Sequence, residues 1–364
     1  MKCLKVILVI FVSVYLSNAV MSIGKEISPV LQKVTDTKAE EAWKKALKKY
    51  PLSEHAVELE YRFSFPSEKL IDEQIYLWSP LKISVSNMGY VFVTDQKWRH
   101  IFQFDEAGEY KKTFGRRGQG PGEFSNPFCL CATKEHLIVI DNSNLNIQFF
   151  DFQGKFVKSK KIFKAYMDMA VDSTGHIYAA PIITTKESRL VDIFNSDGGY
   201  INSIIAPLSH ISSAWNVANM IRLDVNSADE IFIAFENLPL VCKYSLKGEI
   251  LGQWKIEQDV MAEREKFNME RFRGKINDYR NMPVINEIQA SKNGGFYILS
   301  NYPRTLIMEF DKDGRYINEY WAAKSYDYQV IDFAVDEKTN DFYFLQRIPE
   351  MKIDVFRPKK TGSN

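Results

Sequence analysis

Residues 114–154 read FGRRGQGPGEFSNPFCLCATKEHLIVIDNSNLNIQFFDFQG. A glycine-rich loop leads into a short strand pattern, a polar turn, an apolar run and a second polar turn. An alternating strand then ends in Asp-x-x-Gly, where a tight hairpin needs the positive φ that glycine supplies. The same order recurs outward in both directions. The closing hairpin returns as IFQFDEAGEY from Ile101, IQFFDFQGKF from Ile147, LVDIFNSDGGY from Leu190, LVCKYSLKGEI from Leu240 and LIMEFDKDGRY from Leu306. Each is preceded by a partner segment with its own turn, starting at Ile83, Leu130, Met169, Leu223 and Ile288. A sixth partner segment, FAVDEKTNDFYFL from Phe333, is followed by KIDVF near the end of the chain.

The turn positions Asp105, Asp151, Asn195, Ser245 and Asp311 are 46, 44, 50 and 66 residues apart. A period of about 40–50 residues with four short strands per repeat is the signature of propeller blades. Six copies predict an all-β, six-bladed β-propeller with four-stranded antiparallel blades. The run FGRRGQGPGEFSNP, followed by VIDNSNLNIQFFDFQG, resembles the repeat of the NHL family and of related bacterial six-bladed propellers of the TolB-like class. The glycine-rich lead-in is matched in the second blade only, while the strand grammar runs from about Leu81 to Phe356. This resemblance implies a fold rather than an activity, because propellers serve as binding modules, scaffolds and enzymes.

Residues 1–19 combine Lys2 and Lys5, the apolar run VILVIFVSVYL, and Ser17-Asn18-Ala19 as a small-x-small pattern. This reads as a secretory signal peptide cleaved after Ala19, and hence as export to a periplasm or beyond the cell. The apolar run is short for a membrane span. No cysteine follows it to carry a lipid. Residues 20–55 form a lead-in segment, in which Thr37-x-x-Glu40 and the apolar positions Ala39, Ala42, Trp43, Ala46, Leu47 and Tyr50 predict a helix over 36–50. The propeller is expected over 56–358, with a tail at 359–364. Because the sixth unit ends without an outer strand, Val57–Phe65 is expected to supply it and close the ring. Between the fourth and fifth units, residues 255–283 abandon strand grammar, and Asp259–Arg273 reads as a helix that either decorates or covers one propeller face.

A formal net charge of +1 gives no electrostatic reason to expect nucleic acid as a partner. A monomer with one repeat-built domain is expected. Removing the signal leaves Cys129, Cys131 and Cys242, an odd number without zinc spacing, expected as free thiols. The histidines show no metal-ligand spacing either, and His136 and His176, at one hairpin position in adjacent blades, are expected outside the channel. No nucleophile elbow, phosphate loop or dinucleotide fingerprint is present.

Aligning the six first strands gives one informative column: Lys82, Cys129, Asp168, Arg222, Glu287 and Asp332. Five of the six are charged and are expected to converge around the central channel. Asp168, Glu287 and Asp332 could hold a divalent cation such as calcium through oxygen ligands, or line the channel as compensated charges. In gluconolactonase-like propellers acidic and amide ligands hold a metal at this place, and the resemblance carries only these three residues over. A second group in the turns, Trp98, Arg99, Arg117, Arg189, Tyr302 and Arg304, has a recognition composition. Together with Lys82 and Arg222 it is the expected binding face for a protein or a small polar or anionic ligand. The sequence therefore favours an exported binding module without a cofactor. The alternative is a metal-dependent hydrolase or lactonase.

Overall fold

The computed structural model describes residues 44–209, 215–274, 282–323, 329–348 and 350–359. The signal pattern, Trp43, the first part of the lead-in helix, His210 and the end of the tail lie outside the described residues. The chain divides into two compact units, Met1–Pro51 and Leu52–Asn364. In the first, residues 44–49 are helical, and the Tyr50 amide donates to the Ala46 carbonyl at 2.9 Å.

The second unit is built of antiparallel four-stranded blades. The first blade is β2 (Pro80–Val85), β3 (Val91–Asp95), β4 (His100–Phe104) and β5 (Tyr110–Phe114). The second is β6 (Pro127–Ala132), β7 (Leu137–Asp141), β8 (Asn146–Phe150) and β9 (Phe156–Lys161). The third is β10 (Tyr166–Val171), β11 (Ile177–Pro181), β12 (Val191–Phe194) and β13 (Tyr200–Ile204). The fourth is β14 (Ile221–Val225), β15 (Glu230–Phe235), β16 (Leu240–Ser245) and β17 (Ile250–Lys255). The fifth is β18 (Glu287–Ala290), β19 (Phe296–Ser300), β20 (Leu306–Phe310) and β21 (Tyr316–Ala322). The last consists of β22 (Gln329–Asp336), β23 (Asp341–Ile348) and β24 (Ile353–Pro358). Against β24, antiparallel, lies β1 (Ala56–Phe65), with Leu59 opposite Pro358 and Phe65 opposite Ile353. The other edge of β1 pairs in parallel with β21, from Ala56 opposite Glu319 to Leu59 opposite Ala322.

The first strands pack against one another in the order β2, β6, β10, β14, β18, β22 and back to β2, which makes the arrangement a closed six-bladed ring. The core lies between successive blades. Phe92 and Ile101 of the first blade meet Phe124, Leu137 and Phe150 of the second. Ile138 and Phe149 meet Tyr166 and Ile177 of the third. Where β1 meets the first blade, Phe65 and Phe104 have ring centroids 4.9 Å apart. This explains why the second strands, VFVTD and LIVID, are buried at every position: both faces of each sheet are covered, so apolar runs replace alternation.

The closing hairpins obey one rule. Gly108, Gly154, Gly198, Gly248 and Gly314 have φ of 78°, 76°, 79°, 84° and 75°. Three residues earlier a polar side chain ties the turn: one Asp151 oxygen accepts from the amides of Gln153 and Lys155, both at 2.9 Å. Asp311 does the same for Asp313 and Arg315.

The insertion contributes a helix over Asp259–Phe272. Phe272 is fully buried among Leu238, Ile205 and Ala218, and Asn268 donates to the Asn237 carbonyl at 2.9 Å. The helix therefore seats on the turns at the starting ends of the first strands of blades three and four.

Candidate functional site

Each first strand has an inner edge with no neighbour in its own sheet. Its amide groups need acceptors, since a buried donor left unpaired costs about 1–3 kcal/mol. The preceding blade supplies them. Asp168 accepts from the Leu223 amide at 3.0 Å, and Asp332 from the Ile83 amide at 2.8 Å. Between the second and third blades the polarity is reversed: the Cys129 thiol is the donor, and it meets the Tyr166 carbonyl at 3.5 Å. The other three junctions use residues two positions further along the strand. Ser84 accepts from the Ala132 amide at 2.9 Å, Asp224 from that of Ala290 at 2.8 Å, and Gln289 from that of Val335 at 2.7 Å.

Local register explains part of this division. In blades two, three and six a register shift immediately precedes Cys129, Asp168 and Asp332. A bulge re-aims the following side chain. The fourth and fifth blades pair without a shift, and there the junction falls to Asp224 and Gln289.

Three residues of the predicted column are thereby left for the middle of the channel: Lys82, Arg222 and Glu287. The Lys82 ammonium lies 2.9 Å from Asp168 Oδ1 and also donates to Glu287 Oε2. Lys82, Asp168, Glu287 and Asp332 are all buried. Arg222 pairs with Glu236 at 3.0 Å. Burial opposes the charge on Lys82, yet the carboxylates of Asp168, Asp332 and Glu287 more than offset it and hold the ammonium above its ordinary range. Burial, with the Asp168 charge added, pushes Glu287 up to about 8. Burial likewise pushes Asp332 up to about 6 and Asp224 up to about 7.

Above this floor opens a cavity of about 990 Å³. Its walls are the first strands, and its mouth is made by the turns that follow them in the different blades, such as Ser86–Gly89 and Asp172–Gly175. Ser84, Asp224 and Gln289 stand on the wall together with Cys131, whose thiol burial pushes up to about 12. Cys129, Cys131 and Cys242 are all free. His136, expected outside the channel, is on the rim, because the turn after each first strand reaches the mouth.

The sequence-predicted residues are thus distributed between two places. Lys82, Asp168, Glu287 and Asp332 come together in the cavity floor. Trp98, Arg99, Arg117, Arg189, Tyr302 and Arg304 do not line the cavity. They sit in turns at the starting ends of the first strands or in blade connections, and the structure gives several of them separate partners. Arg99 Nε donates to the Ser125 carbonyl at 3.1 Å. Trp98 Nε1 donates to the Tyr76 carbonyl at 3.1 Å. The Arg264 guanidinium stacks over Tyr302 at 4.2 Å. Arg117 and Arg189 are exposed. Among the described residues, no group of three or more histidine, cysteine or acidic side chains has an arrangement that could hold a metal ion. The wall residues Ser84, Asp224 and Gln289 were missed by reading one column; the column two positions further along the same alignment contains them.

Comparison with known proteins agrees with this architecture. The DUF5128 family model, described as a 6-bladed beta-propeller, matches residues 72–203. No curated protein matches the sequence. Among solved structures, the chain is similar to a protein of Bacteroides fragilis NCTC 9343 described as exported, at 11% identity and a TM-score of 0.59, covering 85% of this chain and 97% of that one. It is similar to a DUF4221 family member from Bacteroides vulgatus at 12% identity and a TM-score of 0.55, covering 84% and 99%. A streptogramin B lyase is similar at 13% identity and a TM-score of 0.53, covering 83% and 97%. At these identities the likeness is one of fold. Among the described residues no helix is long and apolar enough to cross a membrane.

Proposed function

We propose that the chain is an exported six-bladed propeller that captures a small polar ligand in its channel cavity. The observation that carries this reading is the cavity itself: its volume of about 990 Å³ is that of a small-molecule site, and all six blades contribute to its lining. Buried ion pairs from Lys82 to Asp168 and Glu287 lie at its floor, and polar turns make its mouth. Export rests on the pattern of residues 1–19, with support from the fold shared with an exported Bacteroides protein. The kinship to NHL repeats rests on residues 114–154, and β1 serves to complete the sixth blade and close the ring.

A thermal-shift screen of polar metabolites tests the reading, since a ligand specific for the folded state raises its melting temperature. Cys131 then locates the site. It is half-buried on the cavity wall, while Cys129 and Cys242 are buried. In a Cys3→Ser chain, a stabilising compound should slow alkylation of Cys131. A screen without hits, or a hit that leaves Cys131 labelling unchanged, contradicts the proposal.

A further inference from the structure

The resemblance to gluconolactonase-like propellers implies a metal at the channel floor, and the residues present do not fit one. Both oxygens of Asp332 accept backbone amides, from Ile83 at 2.8 Å and from Phe333 at 2.9 Å. Asp168 gives one oxygen to the Leu223 amide and the other to Lys82. Glu287 gives one to Lys82 and faces its neighbour's amide, Ile288, with the other at 3.3 Å.

We propose that Lys82 is a tethered cation: its ammonium fills the place where carboxylates from separate blades would gather a free one, and it thereby ties blades one, three and five across the channel. These three blades are not neighbours in the ring. Their contact is made by one side chain reaching from the first strand of blade one to Asp168 on that of blade three and Glu287 on that of blade five. The other cation of the floor, Arg222, is engaged with Glu236 and with the Met167 carbonyl at 3.5 Å. Lys82 is free for this task because Ser84 serves the junction to the second blade in its place. A buried pair that loses one partner leaves an uncompensated charge. Removing the Lys82 side chain should therefore create a site for a small alkylammonium ion.

The test uses the full propeller with Lys82→Ala, which leaves room for n-propylammonium. The variant should melt below the wild type. Added n-propylammonium chloride should raise its melting temperature saturably, with no such effect from n-propanol, from potassium chloride at equal ionic strength, or on the wild type. Lys82→Met, which fills the volume without the charge, should melt below the wild type and ignore n-propylammonium; it decides the matter if the alanine variant does not fold. Three results overturn the proposal: a Met variant as stable as the wild type, an Ala variant that folds but is indifferent to n-propylammonium, or stoichiometric calcium in the wild type that is lost in Asp168→Asn. None of these depends on which ligand the cavity takes, so the cavity reading can fail while this one stands.

Discussion

Replacing Asp141 by alanine should unfasten the second blade. Asp141 is fully buried at the end of β7. Its carboxylate accepts from the amides of Ser125 at 2.6 Å and Asn126 at 3.0 Å, which belong to the connection entering the blade. It also accepts from Ser143 at 3.0 Å and Asn144 at 2.8 Å, which belong to the turn leaving β7. One side chain, 16 residues after Ser125, thus joins the end of the glycine-rich loop to the turn leaving β7. Each donor left unpaired costs about 1–3 kcal/mol. Ser143 is exposed and can turn to water, so a loss of about 3–5 kcal/mol is expected, at the high end for single substitutions. Asp151→Ala is the control, since it removes two bonds from an exposed hairpin and should cost about 1 kcal/mol. Urea denaturation followed by tryptophan fluorescence measures both. An Asp141→Ala loss no larger than that of Asp151→Ala would mean that the number and burial of the donors do not set the cost.

Gly314→Ala should be costly: beyond its positive φ, the new Cβ would lie 2.1 Å from Trp254 Cδ1, and about 2–3 kcal/mol is expected from strain and overpacking. Gly294→Ala, with its nearest contact at 3.5 Å, should lose only about 1 kcal/mol, so equal losses would contradict the packing argument. Stability should fall as pH rises from 5.5 to 8.5. The raised carboxyls of Glu287, Asp224 and Asp332 contribute stability that is full below the unfolded carboxyl range and lost as pH passes through about 6 to 8. His100, lowered by burial, acts in the opposite sense as one group against three. Urea midpoints at the two pH values check the sign, and Glu287→Gln should flatten the difference. Phe65→Ala should cost about 3–5 kcal/mol, because its ring is buried between residues of the first and last blades; a loss below 1 kcal/mol would count against the proposed closing role of β1.

The repeat was legible because hairpin chemistry is local. Asp-x-x-Gly at 151–154 and 311–314 specifies its own turn whatever surrounds it, and the doubly buried second strands announce themselves as apolar runs such as LIVID. The convergence of Lys82, Asp168, Glu287 and Asp332 was also legible, since a ring of equivalent strands brings equivalent positions together. What the column could not show is which side chains serve the junctions. In three blades that choice goes with register shifts before Cys129, Asp168 and Asp332, whereas the first blade is shifted between Pro80 and Ile83 and still uses Ser84; a bulge is a relation between two strands that one strand's sequence does not display. The same limit applies to the cavity. Arginine beside Trp or Tyr at 98–99 and 302–304 has the composition of a binding surface, but tertiary partners such as the Ser125 carbonyl and the 259–272 helix engage those residues. The mouth with open volume is formed instead by turns that mix serine, threonine, asparagine and glycine with charged residues such as Lys134, Asp172, Lys292 and Lys338, and such turns read as connections and nothing more.

The most direct measurement is calorimetric titration of the first stabilising compound into three proteins: wild type, Cys131→Trp, which fills the cavity wall, and Arg117→Ala/Arg189→Ala, which alters only exposed arginines away from the cavity. The tryptophan variant should lose binding while the double arginine variant keeps the wild-type affinity. Full affinity in Cys131→Trp together with its loss in Arg117→Ala/Arg189→Ala would contradict the proposed cavity site and place the ligand on the arginine-bearing surface.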